Sequence, residues 1–559
     1  MFAALYHLLS SGDTLTPISS FLFFIGAVAL ILTYGKAKSS DKKLKIWKAS
    51  CMIPLLTALV HLCVFTAGSA FLQILPFYLS VYIPAVLIAF FPLFTKKNAL
   101  YKVSSVMTAV ICLISALVPI YTSVKVINYT RKSLSESYVS LCDYLEENYI
   151  LGEWKKIDFE QLKTDGLVLV RQAEETGDIK KYYEALDTLV DALHDGHSGL
   201  EFYGTDYNYI VEKIKEFNDY GLSLITLDDG STVAICVEDG LEIQNGDTVI
   251  KWDGVPIKEA IDNVDIPISQ GLLEHERIQK TFYLAGVGKD TVNVTYINSG
   301  GEEATATLEK LDSPLPRALT AFGLFIHNKN DEYTYKMLSD TVGYLRVTAE
   351  KTNEIADSWA YLTGNHKTAR EKFRKDLRTL KAQGMTKLVI DIRNNAGGYD
   401  EVSTALASLF TKEDMYAFSL GVKKGGELKS VDDRYVMADG EFSDLEIVVL
   451  TSMRCGSAGD GMVLYLSRLD NVTVAGLTEP AGISQETGGY IYMPENALIV
   501  FPVGTILDGD GNPNIDIDDT RQSRTPLDIK IPLDKEAALK IFSGEDYELA
   551  WAIDYLNSK

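Results

Sequence analysis

Three short segments of the chain place residue types that support chemistry at a predicted strand end or helix start. The first, residues 451–460, reads Thr-Ser-Met-Arg-Cys-Gly-Ser-Ala-Gly-Asp and leads from an apolar strand through a tight turn into a helix. In such a turn, Ser457 lies at a helix N-terminus, where backbone N–H groups and the helix dipole favour a developing oxyanion. Serine is also a preferred N-cap, and Asp460 follows three residues later, as in a capping box. Taken alone, this segment favours capping.

The second segment is a loop with paired glycines. Residues 388–399 read Leu-Val-Ile-Asp-Ile-Arg-Asn-Asn-Ala-Gly-Gly-Tyr, an apolar strand that opens into a loop. Gly397 and Gly398 allow positive φ and close backbone approach, so the loop can present N–H groups to an anion. A nucleotide site is not indicated, because the chain lacks the Gly-x-Gly-x-x-Gly spacing and a following Gly-Lys-Ser/Thr. An ordinary strand-to-helix turn remains the alternative.

The third segment holds two histidines at the end of a helical stretch. Residues 193–200 read Leu-His-Asp-Gly-His-Ser-Gly-Leu, and histidine is the side chain best suited to act as a general base near neutral pH. Without a nearby cysteine or further ligand cluster, the His-x-x-His spacing does not indicate a metal site, and no metal or other cofactor is expected. His194 is expected at the surface, whereas a structural and a functional role are equally open for His197.

Three kinds of sequence pattern indicate the elements that position these segments. Apolar residues recur at three- and four-residue spacing over about 132–205, which is typical of packed helices. From about 213 to 312, short β-branched runs alternate with Asp-Gly and Asn-Gly turns, which predicts a small β-rich domain. From about 340 onward, apolar strands alternate with helices, which predicts an α/β core with a largely parallel sheet.

Taken in their order along the chain, the three segments resemble the family of C-terminal-processing peptidases and the related tricorn core protease. The similar motifs are the Asp195-Gly196-His197 turn, the Arg393–Gly398 loop and the Ser457-Ala458-Gly459-Asp460 turn, which has aspartate in place of the family's final glutamate. Their order and spacing, more than any single motif, carry the resemblance.

The resemblance covers about residues 135–545 and implies a fold for each part of that range. It implies a crotonase-like, ClpP-type α/β serine peptidase core in residues 316–545. A helical cap in residues 132–205 would end in the Asp-Gly-His turn, and a PDZ-like domain would be inserted at residues 213–312.

The resemblance also implies a role for each residue of the active site. Family members activate the serine either with a lysine further along the chain or, as in the tricorn branch, with a histidine that an acid orients. Because no lysine lies between Ser457 and Lys530, the resemblance implies Ser457 as nucleophile and His197 as base. The orienting acid is expected at Asp519, with Asp518 as the close alternative.

Backbone groups of the same turns are expected to stabilise the oxyanion. They are the N–H of Ala458, which follows the nucleophile, and that of Gly397 or Gly398 across the cleft. Cys455 is the rival nucleophile, but it precedes the turn, where its side chain is expected to point into the sheet.

The β-rich segment resembles a PDZ domain at two places. Residues 220–224, Tyr-Gly-Leu-Ser-Leu, are similar to the Gly-Leu-Gly-Phe carboxylate-binding loop, and residues 245–257 are similar to the later signature of that domain. The resemblance implies that Gly221, Leu222 and Ser223 bind the terminal carboxylate of a protein tail that adds as a β-strand. A purely structural insert remains the alternative.

The charge balance separates the first 125 residues from the rest. The chain has 559 residues and a net charge of -23, yet residues 1–125 contain ten lysines, no arginine and only Asp13 and Asp41. Nucleic acid is not an expected partner, because the acidic remainder of the chain repels its phosphate groups. Apolar stretches near the roughly 20 residues that a span needs predict a membrane domain in residues 1–125 with four transmembrane helices, at Pro17–Tyr34, Ala49–Ala67, Phe71–Phe94 and Val103–Tyr121.

Nine of the ten lysines lie in the loops after the first and third apolar stretches, which the positive-inside rule places in the cytoplasm, whereas Lys125 follows the fourth stretch. The expected protein is therefore a multi-pass cell-membrane protein, in contact with the lipid bilayer, whose catalytic part lies on the extracytoplasmic side. Its expected function is that of a membrane-anchored serine endopeptidase that cleaves extracytoplasmic proteins or peptides and selects their tails with the PDZ-like domain. The alternative is a catalytically inactive adaptor or sensor of the same fold that only binds peptides.

Overall fold

The computed structural model describes most of the chain after residue 124. The described residues are 40–41, 125–203, 212, 217–266, 271–313, 315–327, 332–353, 356–357, 360, 364–424, 426–525 and 527–559. Within these ranges the chain forms three sheets and the helices that pack on them.

The first part of the described chain is a helical cap between two short strands. Its elements are β1 (Lys125–Asn128), α1 (Leu134–Asn148), α2 (Phe159–Thr176), α3 (Ile179–Asp191) and β2 (Gly199–Phe202). Helix α1 begins at a capping box, in which the Ser133 hydroxyl accepts from the Glu136 N–H. Tyr138, Leu141 and Leu145 are buried at helical spacing, and this apolar face holds the three helices together.

A β-rich domain follows the cap. Its elements are β3 (Ser223–Thr226), β4 (Thr232–Ile235), β5 (Thr248–Trp252), β6 (Val255–Pro256), α4 (Ile257–Asp262), α5 (Leu273–Leu284), β7 (Thr291–Ile297) and β8 (Glu303–Glu309). The strand order β3-β4-β5-β7-β8 leaves β3 at an edge. Helix α6 (Arg317–Phe325) comes next and packs against α5 and β3.

The third part is a mostly parallel sheet flanked by helices. Its elements are β9 (Thr334–Met337), β10 (Val342–Arg346), α7 (Lys367–Lys381), β11 (Lys387–Asp391), α8 (Asp400–Ser408), β14 (Glu446–Leu450), α9 (Ala458–Ser467), β15 (Val472–Gly476) and β18 (Ile529–Lys530). Neighbours in the order β18-β15-β14-β11-β10-β9 are parallel except β10 with β9. This arrangement confirms the α/β part of the predicted fold.

In a parallel sheet of this kind, loops at the carboxyl ends of adjacent strands meet at one edge. Strands β11 and β14 pair directly, with Asp391 opposite Leu450. The glycine loop after β11 and the serine turn after β14 therefore lie side by side.

A second sheet joins the cap to the α/β core. It contains β1, β2, β12 (Met415–Lys424), β13 (Glu427–Val436), β16 (Glu486–Tyr492) and β17 (Ala497–Leu507). Both β2 and β16 run antiparallel to β17 and begin opposite Val500 and Gly504, respectively. The residues just before these two strands, which include His197 and Gln485, therefore lie at the same end of the sheet.

The described chain ends with α10 (Lys535–Phe542) and α11 (Tyr547–Ser558), which pack on the core. The N-terminus of α11 anchors the glycine loop from behind. Arg393, which has no exposed surface, forms ion pairs with Asp391, Asp546 and Glu548. Because a buried charge is stable only when it is paired, this network holds the start of the loop rigidly.

The prediction of four transmembrane helices is corrected by the structure. Among the residues that it describes, no helix is long and apolar enough to cross a membrane. The longest of them, α2, has 18 residues and carries Glu160, Lys163 and Arg171, whereas a span needs about 20 predominantly apolar residues. This finding contradicts the predicted membrane domain and the predicted multi-pass localisation. The apolar stretches of residues 17–121, on which both predictions depended, lie outside the described residues.

Candidate active site

The serine turn between β14 and α9 holds Ser457 in a strained conformation. Its φ of 57° and ψ of -130° lie outside the regions that residues with a side chain prefer, and such strain is concentrated at functional sites. The Ser457 N–H donates to Ile483 O over 2.8 Å. Its hydroxyl makes no capping hydrogen bond, although Ser457 is the N-cap residue of α9. The capping role favoured by the local sequence is therefore wrong, and the hydroxyl faces the cleft.

His197 contacts that hydroxyl from the other side of the cleft. Its Nε2 lies 3.2 Å from Ser457 Oγ, and its backbone N–H donates to Asp195 Oδ1 over 2.8 Å. Asp195 Oδ2 in turn accepts from the Tyr149 hydroxyl over 2.7 Å. Lys155, which is also buried, donates to the carbonyl oxygens of Leu193 and His194 over 3.0 and 2.8 Å. Groups in the connection between α1 and α2 thus fix the histidine turn.

Gln485 and Asp516 complete a hydrogen-bond chain behind His197. His197 Nδ1 lies 2.7 Å from Gln485 Oε1, and Gln485 Nε2 donates to Asp516 Oδ1. Because a carboxylate oxygen accepts, the Gln485 amide must turn its nitrogen to Asp516 and its oxygen to His197. The proton of the neutral imidazole then lies on Nδ1, and the Nε2 lone pair faces the Ser457 hydroxyl.

Asp516 is buried and surrounded by donors. Besides Gln485, its carboxylate accepts from the Ser484 N–H over 2.8 Å and from the Thr505 hydroxyl over 2.5 Å. Burial raises the pKa of Asp516, while the Thr505 hydrogen bond and the charge of Lys155 oppose the rise. These donors favour the ionised form, which only accepts hydrogen bonds and so keeps Gln485 in one orientation.

The structure does not bring Asp519 to His197. Asp519 forms an ion pair with Lys156 at 2.7 Å, and its side chain is 37% exposed. Asp518 accepts from the Thr520 N–H within its own turn. The acid behind the histidine is instead Asp516, two and three residues earlier in the same acidic segment.

A sequence signal for Asp516 exists, although the prediction missed it. Asp516 lies between Ile515 and Ile517, which are both fully buried. An acid flanked by isoleucines belongs to a buried segment more readily than the successive acids at 518 and 519. Gln485 carries no comparable signal, because its partners Asp516 and His197 lie 31 and 288 residues away along the chain.

The glycine loop approaches the serine turn so closely that a side chain is excluded. A Cβ at Gly397 would lie 2.5 Å from Ser457 Cβ and 3.0 Å from the Ala458 nitrogen, and its φ is +104°. The Gly397 N–H donates to Asn395 Oδ1 over 2.9 Å. Among the described residues, the N–H groups of Gly398 and Ala458 have no acceptor. Both N–H groups are therefore available to a ligand, and the Ala458 N–H belongs to the residue that directly follows Ser457.

Asp460 ties the serine turn to the loop that ends in Gln485. Its Oδ2 accepts from the N–H groups of Gly482 and Ile483 over 2.9 and 3.1 Å. Complete burial raises the pKa of this carboxyl well above its usual range, and the two N–H bonds oppose the rise. Cys455, the rival nucleophile, is buried, and burial also raises the pKa of its thiol. A neutral, inaccessible thiol does not attack a substrate.

Comparison with known proteins identifies the domain that contains most of this site. Residues 341–520 match the model of peptidase family S41. These residues carry a domain of peptidase family S41. The match includes the glycine loop, Ser457, Gln485 and Asp516, whereas His197 comes from the cap before it. This family assignment confirms the resemblance noted in the sequence.

Solved structures extend the likeness to the cap and the β-rich domain at the level of the fold. Mature CPAF complexed with lactacystin is 13% identical, with a TM-score of 0.50 over 77% of this chain and 99% of that one. A CPAF mutant is 14% identical, with a TM-score of 0.52 over 76% and 98% of the two chains. The tricorn protease is 14% identical, with a TM-score of 0.34 over 76% of this chain and 36% of that one. No curated protein matches the chain.

The loop predicted to bind a tail carboxylate lies at the start of β3, outside the S41 match. Its Gly221 N–H donates to Asp219 Oδ1 over 2.8 Å, and Gly221 O accepts from the Glu238 N–H over 2.7 Å. Leu222 and Ser223 have no exposed surface. Arg317 of α6 pairs with Asp219 and Glu238 at 2.8 and 3.1 Å. In this conformation the loop is covered.

A group of exposed carboxylates in the helical cap has the spacing of metal ligands. It consists of Asp143, Glu146 and Glu160. Lys163 Nζ already lies 2.8 Å from Asp143 and 2.5 Å from Glu160. The lysine takes the place that a cation would occupy, and the cluster lies on the cap surface rather than in the cleft.

Proposed function

We propose that the chain is a serine endopeptidase in which Ser457 attacks the peptide carbonyl and His197 transfers the proton. The observation that carries this proposal is the unbroken hydrogen-bond chain from the Ser457 hydroxyl through His197 and Gln485 to Asp516. These hydrogen bonds support a tricorn-like mechanism in which histidine, and not lysine, is the base. The lack of lysine between Ser457 and Lys530 agrees with this.

The proton route follows from the tautomer that Gln485 imposes. Nε2 of His197 removes the hydroxyl proton as Ser457 Oγ attacks the carbonyl carbon, and a tetrahedral intermediate forms. The imidazolium then gives this proton to the leaving amine nitrogen, which leaves an acyl-serine. A water molecule, deprotonated by the same imidazole, hydrolyses the ester and restores the free hydroxyl.

The charge that develops on the carbonyl oxygen is taken up by backbone donors. The N–H of Ala458 points from the start of α9, where the helix dipole adds to its effect. We assign the second donor to the N–H of Gly398, which follows the glycine that packs against Ser457 and Ala458. Such preorganised donors commonly contribute a factor of about 10² to 10³ each in turnover.

The relay differs from a direct histidine–carboxylate pair in its electrostatics. The Gln485 amide is neutral, and the negative charge of Asp516 lies one side chain further from the imidazole. Because Coulomb energy falls with distance, Asp516 stabilises the imidazolium less than a direct partner would. We therefore assign the relay mainly to fixing the tautomer and the ring orientation of His197.

Labelling with a fluorophosphonate probe tests the assignment, because the probe reacts covalently with activated serines. The full-length wild-type chain is expected to be labelled, Ser457→Ala to be unlabelled and His197→Ala to be labelled far more slowly. Absence of labelling in a folded wild-type sample would instead favour the alternative of an inactive peptide-binding adaptor.

The β-rich domain has a sheet edge at which a protein tail can bind. Strand β3 is an edge strand, to which a peptide can add. However, α6 packs against both β3 and α5, and Arg317 holds the loop through Asp219 and Glu238. We propose that a tail binds there only when α6 moves away from β3, so that the domain responds to substrates that can displace this helix.

A further inference from the structure

Glu350 lies where the glycine loop meets the rest of the α/β core. Its backbone brackets the loop: the Glu350 N–H donates to Gly397 O over 3.1 Å, and Glu350 O accepts from the Tyr399 N–H over 3.0 Å. A Cβ at Gly398 would lie 2.5 Å from Glu350 O. The position of the loop, and with it the Gly398 N–H, therefore depends on the segment that holds Glu350.

The Glu350 side chain is completely buried, and only one of its oxygens has a partner. Oε1 accepts from Asn395 Nδ2 over 2.7 Å, whereas Oε2 has no hydrogen-bond partner in the described part of the chain. Among the described residues, no cationic side chain contributes to the shift of its pKa. A buried carboxylate without a cation is costly, whereas the neutral acid is tolerated in such a place.

Asn395 transmits the contact with Glu350 to both sides of the oxyanion pocket. While its Nδ2 donates to Glu350, its Oδ1 accepts from the Gly397 N–H over 2.9 Å. Its backbone oxygen accepts from the Gly456 N–H over 3.0 Å, next to Ser457. The amide of Asn395 thus turns the Gly397 N–H away from the cleft and leaves the pocket to Gly398 and Ala458.

We infer that Glu350 is a positioning residue of the oxyanion pocket and that it acts in its neutral, protonated form. This inference rests on the serine peptidase mechanism proposed above. The reason is electrostatic: a negative charge buried behind the loop opposes the negative charge that forms on the carbonyl oxygen in front of it. Ionisation of Glu350 therefore lowers turnover without removing any group that touches the substrate.

Burial raises the pKa of Glu350 to about 8, while the Asn395 hydrogen bond opposes the rise. The titratable groups nearby are acidic or paired: the buried thiol of Cys455 senses the charges of Glu350, Asp460 and Asp391, and Asp391 is itself paired with Arg393. Glu350 is therefore neutral at pH 7 and becomes charged as the pH rises through about 8.

The test compares the pH dependence of kcat and KM for the wild-type chain, Glu350→Gln and Glu350→Ala on one peptide substrate. Glutamine keeps the shape and the acceptor for Asn395 but cannot ionise, whereas alanine removes both. Glu401→Gln is a matched control, because Glu401 is also buried but its carboxylate faces Arg434 outside the loop.

We expect kcat of the wild type to fall about tenfold for each pH unit above about 8, as loss of one proton requires. Glu350→Gln should lack this fall, and its kcat near pH 7 should stay within about threefold of the wild type. Glu350→Ala should lose about 10²-fold in kcat with little change in KM, because a displaced loop no longer aims its donor. Glu401→Gln should keep the alkaline fall.

An alkaline fall that persists in Glu350→Gln, or a kcat for this variant as low as that of Glu350→Ala, would overturn the inference. Thermal unfolding at pH 7 shows whether each variant folds, and Glu350→Gln alone decides if the alanine variant does not. Fluorophosphonate labelling of Ser457 in the same samples separates the two proposals. If Ser457 is labelled but the profiles of wild type and Glu350→Gln coincide, only the role of Glu350 fails. If Ser457 is not labelled, the serine peptidase mechanism fails.

Discussion

Two glycine loops lie at strand ends in this protein, and their N–H groups are used differently. In the loop after β11, the Gly398 N–H has no acceptor among the described residues, and the preceding Gly397 packs against Ser457. In the loop before β3, the Gly221 N–H is bound to Asp219, and the following Leu222 has no exposed surface. A glycine-rich loop makes anion binding possible, but the partners of its N–H groups decide whether they are available.

An arginine stabilises each loop, and the more deeply the arginine is buried, the more firmly it holds the loop. Arg393 has no exposed surface and binds three acids, two of them at the N-terminus of α11. The Arg317 side chain is 29% exposed and holds the β-rich loop through Asp219 and Glu238. Solvent screens the second set of contacts more strongly. We therefore regard the catalytic loop as permanently formed and the β-rich loop as able to open.

The largest effect is expected from removing the nucleophile of the catalytic cleft. Ser457→Ala removes a hydroxyl that makes no capping bond, so it should lower kcat by at least about 10⁴-fold while thermal unfolding is nearly unchanged. Hydrolysis of an unstructured protein measures the loss. Ser467→Ala is the matched control, since that hydroxyl bonds to Leu464 O at the far end of α9. If Ser457→Ala still cleaved the protein, Ser457 would not be the nucleophile and the loop after β11 would have no catalytic role.

The next effect distinguishes Asp516 from Asp519, two acids of the segment after β17. Asp516→Asn should lower kcat by about 10² to 10⁴-fold, because an asparagine no longer forces the Gln485 amide into one orientation and the tautomer of His197 is lost. Asp519→Asn should stay within about twofold of the wild type, since Asp519 contacts Lys156 at the surface. Steady-state kinetics with one peptide decides between them, and equal losses in both variants would contradict the relay.

A smaller effect is expected when the β-rich loop is released. Arg317→Ala removes the contacts with Asp219 and Glu238, so peptides with a free C-terminus should bind severalfold more tightly than to the wild type. Fluorescence anisotropy measures this change, and the same peptide with an amidated C-terminus is the control. If both chains bind both peptides alike, the β-rich domain is a structural insert.

The last effect is on stability and not on activity or binding, and it concerns how the two regions respond to pH. Burial lowers the pKa of His275 in α5 to about 3, so the folded domain keeps this histidine neutral. Below its ordinary pKa the unfolded chain gains a proton that the fold does not accept, and stability falls by about 1.4 kcal/mol per pH unit as the pH drops towards 3. His275→Gln should lose less stability on acidification than the wild type.

Thermal unfolding between pH 7 and pH 4 measures that difference for the wild type and His275→Gln. Glu350 has the opposite dependence, because the pKa of a buried acid is raised and its cost appears as the pH rises. Parallel melting curves for the two chains across this pH range would show that His275 does not limit acid stability.

The sequence by itself determined the chemistry at the ends of the core strands. Ser457, His197 and the glycines at 397 and 398 lie in motifs whose order along the chain resembles the C-terminal-processing peptidases, and within that resemblance the lack of lysine between Ser457 and Lys530 implies histidine as the base. These features depend only on residue type and on the spacing of residues within one strand or turn. The hydrophobic periodicity and the glycine positions of the sequence therefore indicate them directly. The α/β core follows from the same local patterns.

Only the tertiary structure decided which groups complete the site and which loop is open. Gln485 lies 288 residues from His197 along the chain, and β17 brings them together by pairing with both β2 and β16. Asp516 replaces Asp519 because the segment after β17 turns only the former inward, between buried isoleucines. Contacts of this kind depend on strand pairing and burial across the whole fold, which no local pattern records.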